Sequence, residues 1–123
     1  MTINTPPQQV NVSLTHKICE FYKKIYILSS RLSKKDKLGI YLRIENVCLD
    51  ILQNITVATF NPKNSKLESL ISARTEVEIL KRLLRITNEL GIVQKSKYLE
   101  LELDLQEISK MTNGWIKYLT API

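Results

Sequence analysis

Apolar residues recur at spacings of three and four along almost the whole chain, and few residues interrupt this pattern. Only three glycines and four prolines occur in 123 residues. A sandwich or barrel of many strands needs turn residues every ~8–12 positions, and this sequence does not have them. The spacing therefore predicts a few long helices, each with one apolar face.

Length and composition are those of a single folded domain, with 44% hydrophobic and 24% charged residues. No run of ~18 apolar residues occurs, so we expect no membrane span. Residues 1–10 lack the charged start and apolar stretch of a secretory signal. Cys19 and Cys48 fall within apolar periodic segments. We expect a cytoplasmic protein with two reduced, buried thiols, a disulfide being the less favoured alternative.

The apolar period begins at Leu14. Residues 1–12 show no such period and are predicted to form a flexible N-terminal arm. The remainder, residues 13–119, is predicted to be one bundle of four helices. These helices are expected at about residues 13–32, 34–60, 66–90 and 95–119.

Short polar motifs mark several of the predicted helix ends. Ser33 with Asp36, and Ser65 with Glu68, have the spacing of a capping box and predict the second and third helix starts. Gly91 is expected to end the third helix, since glycine readily takes the left-handed conformation of a C-terminal cap. The short connections place consecutive helices antiparallel. The predicted fold is all-α, an up-down-up-down antiparallel four-helix bundle.

The second helix has a wider apolar surface than an outer helix of a monomeric bundle needs. Either this helix is central in its own bundle, or its surplus apolar flank packs against another subunit, which we favour. Glu45 falls within the apolar arc, where it needs a cation if buried or lies at the rim with its carboxylate in water. The residues that define the apolar arc are Ile40, Ile44, Val47, Cys48, Ile51, Leu52 and Ile55.

A row of cations follows the third helix. Arg74, Lys81 and Arg85 are seven and four positions apart, and Arg82 lies to one side of their line. The row spans about 16 Å, and on a helical wheel it points nearly opposite the apolar residues. Because 18 Lys and Arg against 12 Asp and Glu give a net charge of +6, we predict that these four cations bind a polyanion, RNA or DNA.

The competing interpretation is that the row is only a solvated face, or is neutralised by nearby acids. Glu100, Asp104 and Glu107 form an acidic line on the fourth helix, which an antiparallel hairpin brings alongside the third. On the wheel these acids lie about 90° from the core direction of their helix. We therefore expect incomplete pairing, with partial compensation from Glu78 and Glu89.

Little in the sequence indicates catalysis. His16 is the single histidine, and Cys19 is its only nearby potential metal ligand, whereas common metal sites use two or more His and Cys at set spacings. Glycine-rich phosphate loops and nucleophile elbows do not occur. We predict a protein that is not an enzyme and has no catalytic residue, metal, cofactor or small-molecule substrate.

The ordered combination of three segments resembles a known family. The segments are Leu-Ser-Lys-Lys-Asp at residues 32–36, Glu-Ile-Leu-Lys-Arg-Leu-Leu-Arg-Ile-Thr-Asn-Glu-Leu-Gly at 78–91, and Gly-Trp-Ile-Lys at 114–117. Over residues 31–119 the chain is similar to the accessory variability determinant (Avd) proteins of diversity-generating retroelements. These belong to a wider group of four-helix bundle proteins that includes those encoded in intervening sequences of ribosomal RNA genes.

This resemblance implies a non-catalytic partner of a reverse transcriptase. Avd proteins assemble as homopentamers, and their basic surface contacts the polymerase and template RNA during mutagenic cDNA synthesis. Lys81 and Arg85 fall on family positions whose cations are implicated in those contacts, and Arg74 extends the same line. The alternative is an intervening-sequence-type bundle protein or a small protein–protein adaptor that binds no nucleic acid.

Overall fold

The computed structural model describes residues 8–122, and helices account for nearly all of them. We number the helices in chain order: α1 Gln8–Ser29, α2 Lys34–Leu38, α3 Ile40–Phe60, α4 Lys63–Glu89 and α5 Lys95–Thr120. The short α2 leads directly into α3, so the two together occupy one position of a four-helix bundle. No strand occurs within the described residues.

The four long helices form a closed square in which each one packs against two others. Helix α1 contacts α3 and α5, and α4 contacts the same two helices. The predicted all-α, up-down-up-down four-helix bundle is therefore confirmed. A single core runs through its centre, and its largest fully buried side chains include Trp115, Tyr41, Phe21, Leu14, Ile18 and Ile25.

Helix α1 starts earlier than the sequence pattern indicates. It begins at Gln8, so residues 8–12, which we expected in the flexible arm, are helical instead. The remaining residues of the predicted arm, 1–7, lie outside the described residues. The helix also ends at Ser29 rather than near residue 32. The Ser29 hydroxyl donates to the Tyr26 carbonyl at 2.9 Å and so satisfies one of the last free carbonyls.

The predicted continuous second helix is broken at Gly39. Its start is as expected, because the Ser33 hydroxyl accepts a hydrogen bond from the Asp36 N–H at 3.3 Å. Gly39 then leaves the helical conformation with φ −96° and ψ −110°. A Cβ on Gly39 would lie 2.8 Å from the Lys35 carbonyl oxygen, closer than van der Waals contact permits. Only glycine fits this tight junction between α2 and α3.

The predicted start of the third helix at Ser65 is wrong. Helix α4 begins at Lys63, directly after Pro62, and no side chain caps its first turn. Proline has the φ of −62° that suits the helix entry and no N–H that needs a partner. The Lys66 ammonium instead caps the preceding helix, donating to the Ala58 carbonyl at 2.7 Å.

The other end of this helix agrees with the prediction. Gly91 has φ +68°. Its N–H bonds to the Asn88 carbonyl at 3.1 Å, and the Ile92 N–H bonds to the Thr87 carbonyl at 3.0 Å. This pair of bonds is a Schellman motif. It turns the chain tightly and brings α5 alongside α4.

The two cysteines differ in burial. Cys48 is buried, whereas Cys19 is only partly buried, and both are free thiols. We expected both to be buried, so the prediction is wrong for Cys19. Burial, with a smaller contribution from the Glu45 charge, raises the pKa of the Cys48 thiol. Glu45 itself is half-buried, which agrees with the rim position rather than full burial.

Two core side chains carry polar atoms that have no hydrogen-bond partner. These atoms are the Tyr41 hydroxyl and the Trp115 indole nitrogen. Burial raises the pKa of Tyr41 to about 12. An unpaired buried polar group costs about 1–3 kcal/mol. Each of these two atoms therefore lowers the free energy of unfolding relative to a core in which the atom is paired or absent.

We predict that Tyr41→Phe stabilises the protein. The substitution removes the unpaired hydroxyl and keeps the ring that fills the core. We expect the free energy of unfolding to rise by about 1 kcal/mol, as measured by urea denaturation. A decrease in that free energy would contradict the prediction, since it would mean that the hydroxyl makes a stabilising bond.

Candidate nucleic-acid interface on helices α4 and α5

The four predicted cations all lie on α4, but not where the wheel indicated. Lys81 and Arg85 line a small pocket of about 50 Å³ together with Tyr98 and Glu102 of α5. They are therefore on the flank of α4 that faces α5, about 90° from the core direction. The prediction that they point nearly opposite the core is wrong, because at 100° per residue these two cations lie only about 90° from the centre of the buried residues Val77, Leu80 and Leu84.

The four cations differ in how far they are neutralised. The Lys81 ammonium lies 2.9 Å from the Glu78 carboxylate, with its side chain 30% exposed. Arg82 is 72% exposed, and its guanidinium lies 3.8 Å from the same carboxylate. Arg74 and Arg85 are exposed and have no ion pair within the described part of the chain. Glu78 thus compensates the row only in part.

Two of the three acids in the line on α5, Glu100 and Asp104, form ion pairs with α1, whereas Glu107 forms none within the described residues. The Lys24 ammonium lies 2.7 Å from the Asp104 carboxylate and 2.9 Å from that of Glu100. Lys17 lies 3.6 Å from Asp104, and Lys97 lies 3.2 Å from Glu100. Hydrogen bonds from Lys24 and Lys97 lower the pKa of Glu100, and those to Asp104 and Glu100 raise the pKa of Lys24.

The α1–α5 ion pairs bear on one part of the competing interpretation, the neutralisation of the basic row by acids of α5. Two acids that were expected to compete for its cations face the other side of α5 and bind lysines of α1. The expectation of incomplete pairing within the α4–α5 hairpin is confirmed. Within the part of the chain that the structure describes, Glu78 alone forms ion pairs with the row. Glu89 forms none there, and neither does Glu102, which lines the same pocket as Lys81 and Arg85.

Two further cations accompany Arg74. Lys110 and Lys117 of α5 line an open cleft of about 640 Å³ together with Arg74. Sequence reasoning did not single them out. The sequence feature that could have identified them is their seven-residue spacing, which is the same as that between Arg74 and Lys81. It places Lys110 and Lys117 two turns apart on one face of α5.

Other features of the described residues offer little for catalysis or membrane insertion. His16 is exposed. Residues 8–122 contain no group of three or more His, Cys, Asp or Glu placed to hold a metal ion. Across the same residues, every helix is too short or too polar to cross a lipid bilayer.

The arrangement of the helices is that of a four-helix bundle protein. Residues 12–119 match the family model described as bAvd-like. The chain therefore belongs to the bAvd-like family, which confirms the resemblance to the Avd proteins.

Comparison with solved structures supports the fold independently. The chain is similar to a crystal structure from Bacteroides thetaiotaomicron, a protein of unknown function from the S23 ribosomal protein family. The two share 21% sequence identity with a TM-score of 0.80, over 88% of this chain and 98% of the other. At this identity the likeness shows the fold alone. The comparison with curated proteins gives no match.

We predict that Glu100→Gln makes stability less dependent on acid pH. A lowered pKa means that the Glu100 ion pairs stabilise the fold above its ordinary pKa near 4.5. That contribution is lost as the pH falls through the lower pKa of the folded protein. When the pH falls from about 7 to about 3, the free energy of unfolding should decrease less in the variant than in the wild type. The difference between the two decreases should be under about 1 kcal/mol because solvent screens the pair.

Urea denaturation at both pH values measures this difference. Glu68→Gln, an exposed carboxylate on α4 with no ion pair in the described part of the chain, is the control and should follow the wild type. A steeper acid loss in the Glu100 variant than in the wild type would contradict the prediction.

Proposed function

We propose that this protein is a non-catalytic accessory subunit of a diversity-generating retroelement. In this proposal it acts in the cytoplasm, binds the reverse transcriptase and its template RNA or cDNA through the basic flank of α4, and supports mutagenic cDNA synthesis. Membership of the bAvd-like family supports an Avd-type accessory protein. The observation that carries the nucleic-acid part is that α1 lysines engage two α5 acids, so Arg74 and Arg85 keep their charge available.

The exposed side of α3 supports self-association. Leu42 and Leu49 are 44% and 43% exposed, and Phe60 at the end of the helix is 81% exposed. Their spacings of seven and eleven residues align them along one face. They are not part of the apolar arc predicted from the sequence, because five of its seven residues are buried in the subunit's own core: Ile44, Val47, Cys48, Ile51 and Ile55. The expected surplus flank is therefore covered within the chain, and Leu42, Leu49 and Phe60 lie on the opposite side of α3. We propose that this face packs against a second copy of the chain in a homopentamer.

A ring needs a second apolar face on each subunit. Head-to-tail contacts join two different surfaces, whereas a two-fold dimer uses the same surface twice. Helix α4 offers such a face, with Ile71, Ile79 and Ile86 each about 40% exposed. These isoleucines lie on the outer side of α4, farther from α5 than the cations Lys81 and Arg85. In the proposed ring, the α3 face of one subunit contacts the α4 isoleucines of the next.

Assembly would strengthen weak individual contacts with nucleic acid. Five copies, each with a formal charge of +6, make a strongly cationic particle. Each phosphate that a cation neutralises releases counterions, so log affinity falls with log salt at a slope near −0.7 per contact for single strands. Repeated contacts around a ring raise the overall affinity further. Backbone contacts carry little sequence information, so the polymerase or the shape of the RNA would supply selectivity.

The second candidate function is that of an intervening-sequence-type bundle protein or adaptor without nucleic-acid binding. The likeness to a member of the S23 ribosomal protein family favours it. The genes beside this one separate the two candidates. A reverse transcriptase gene with paired variable and template repeats would support the retroelement role, and location within a ribosomal RNA intervening sequence would support the second candidate.

We predict that Lys81→Ala with Arg85→Ala weakens RNA binding. Two cations are removed, so the slope of log affinity against log salt should become shallower by about 1.4. Fluorescence anisotropy with a labelled single-stranded RNA, measured from about 50 to 200 mM salt, gives both affinity and slope. This double variant should also co-purify less with the reverse transcriptase.

Lys34→Ala with Lys37→Ala is the matched control. Both lysines are exposed on α2, so the control removes the same charge from a different part of the molecule. We expect it to change affinity only slightly and to leave the slope near that of the wild type. Unchanged binding by a folded Lys81/Arg85 variant would show that this flank has no role.

We predict that Leu42→Glu with Leu49→Glu breaks the assembly. Two carboxylates in the proposed interface would have to be desolvated without partners. Light scattering should show a fall from five copies, about 71 kDa, to the 14.2 kDa of one chain. Circular dichroism should remain helical, because neither leucine is in the core. Leu103→Glu, at an exposed leucine of α5, is the control and should keep the assembly, and a monomeric wild type would contradict the proposed ring.

A further inference from the structure

The flank between α4 and α5 contains a second cationic surface, separate from the pocket of Lys81 and Arg85. Arg74 from α4 and Lys110 and Lys117 from α5 line one open cleft of about 640 Å³. All three side chains are exposed. Lys110 and Lys117 are about 10.5 Å apart along the helix axis, so the charges are spread along the cleft rather than gathered at one point. We call this surface the C-terminal cleft.

Among the described residues, no side-chain carboxylate lines the C-terminal cleft. Its other lining residues are Asn113, Gly114, Ile116 and Thr120, and none of its three cations forms an ion pair within the described residues. The pocket of Lys81 and Arg85 differs in this respect. Glu102 lines that pocket, and Glu78 pairs with Lys81. The positive potential of the flank is therefore least compensated at the cleft.

Gly114 supports an accessible cleft. It lies within α5, where glycine destabilises the helix by about 1 kcal/mol relative to alanine. No atom lies within 4 Å of the place where its Cβ would be, so packing within the subunit does not require a glycine. Its backbone lines the cleft, and the missing side chain leaves space for a ligand to approach.

We propose that the C-terminal cleft binds successive backbone phosphates of single-stranded RNA. The inference rests on the proposed nucleic-acid function and extends it to residues of α5. Lysine ammonium groups act as point charges toward phosphate, and the Arg74 guanidinium can donate two hydrogen bonds to one phosphate. Asn113 and Thr120 add neutral hydrogen-bonding groups at the edge. The strand would run along the α4–α5 flank, from the C-terminal cleft toward Lys81 and Arg85.

The test is the RNA affinity of Lys110→Gln with Lys117→Gln, measured on the full chain with a labelled single-stranded RNA over a salt series. We expect the slope of log affinity against log salt to become shallower by about 1.4, since two phosphate contacts are lost. The matched control, Lys34→Gln with Lys37→Gln, removes the same charge and should keep the slope. Thermal unfolding by circular dichroism verifies that both variants fold.

A second pair of variants tests the cleft without removing a lysine. Gly114→Glu places a carboxylate in the cleft, and Ser30→Glu adds the same charge at an exposed position just beyond the end of α1, away from the α4–α5 flank. We expect the first to weaken RNA binding several-fold more than the second. Equal effects of the two would overturn the proposal.

The outcomes separate this inference from the proposed function. If Lys81→Ala with Arg85→Ala weakens binding while the Lys110/Lys117 variant matches its control, the C-terminal cleft is not a contact and the general function stands. If free inorganic phosphate displaces the RNA at a concentration equal to that of the phosphates in the RNA, the cleft is a small-anion site and the proposal fails. If the wild type binds no RNA, both proposals fail.

Discussion

The ion pairs between α1 and α5 determine the charge distribution of the whole bundle. Lys24 bonds to both Asp104 and Glu100, joining residues 80 positions apart in the chain. The Asp104 side chain is only 16% exposed, so this pair is screened less than an ordinary surface pair. It joins the first helix to the last, and the two acids of α5 that take part face α1 rather than α4. The flank between α4 and α5 is left with a cationic excess as a result.

Both candidate contact surfaces follow from this arrangement. Within the described residues, Arg74 and Arg85 of α4 have no ion pair, whereas Lys81 and Arg82 share Glu78. Lys110 and Lys117 of α5 continue the positive charge along the flank. The outer faces of α3 and α4 are apolar instead, and we propose that neighbouring copies cover them. Binding and assembly would thus use different sides of the same helices, so that a ring could form and still present its cations.

The sequence predicts features that depend on neighbouring residues more reliably than features that depend on distant ones. Gly91 and Ser33 act within one helical turn, and both predictions are confirmed. The Ser65 cap is wrong because Pro62, three residues earlier, already starts the helix. The break at Gly39 depends on the close approach of the Lys35 carbonyl, which helical periodicity does not reveal.

The candidate site was predicted only in part for the same reason. Arg74, Lys81, Arg82 and Arg85 share one helix, so their spacing identifies them as a row. Its direction depends on which residues of α4 are buried, and these centre only about 90° from Lys81 and Arg85 rather than opposite them. The pairing of Lys24 with Asp104 needs the tertiary arrangement of α1 and α5, and so does the juxtaposition of Arg74 with Lys110.

Lysine footprinting by acetylation and mass spectrometry tests the central claim most directly, because it reports each ammonium group separately in the presence and absence of single-stranded RNA. We expect Lys24 to react slowly in both states, since two carboxylates bind it. Lys81, Lys110 and Lys117 should react in the free protein and be protected by RNA, while Lys34 and Lys37 should react in both. Protection of Lys34 and Lys37 to the same extent as the α4–α5 lysines, or fast reaction of Lys24, would contradict the account.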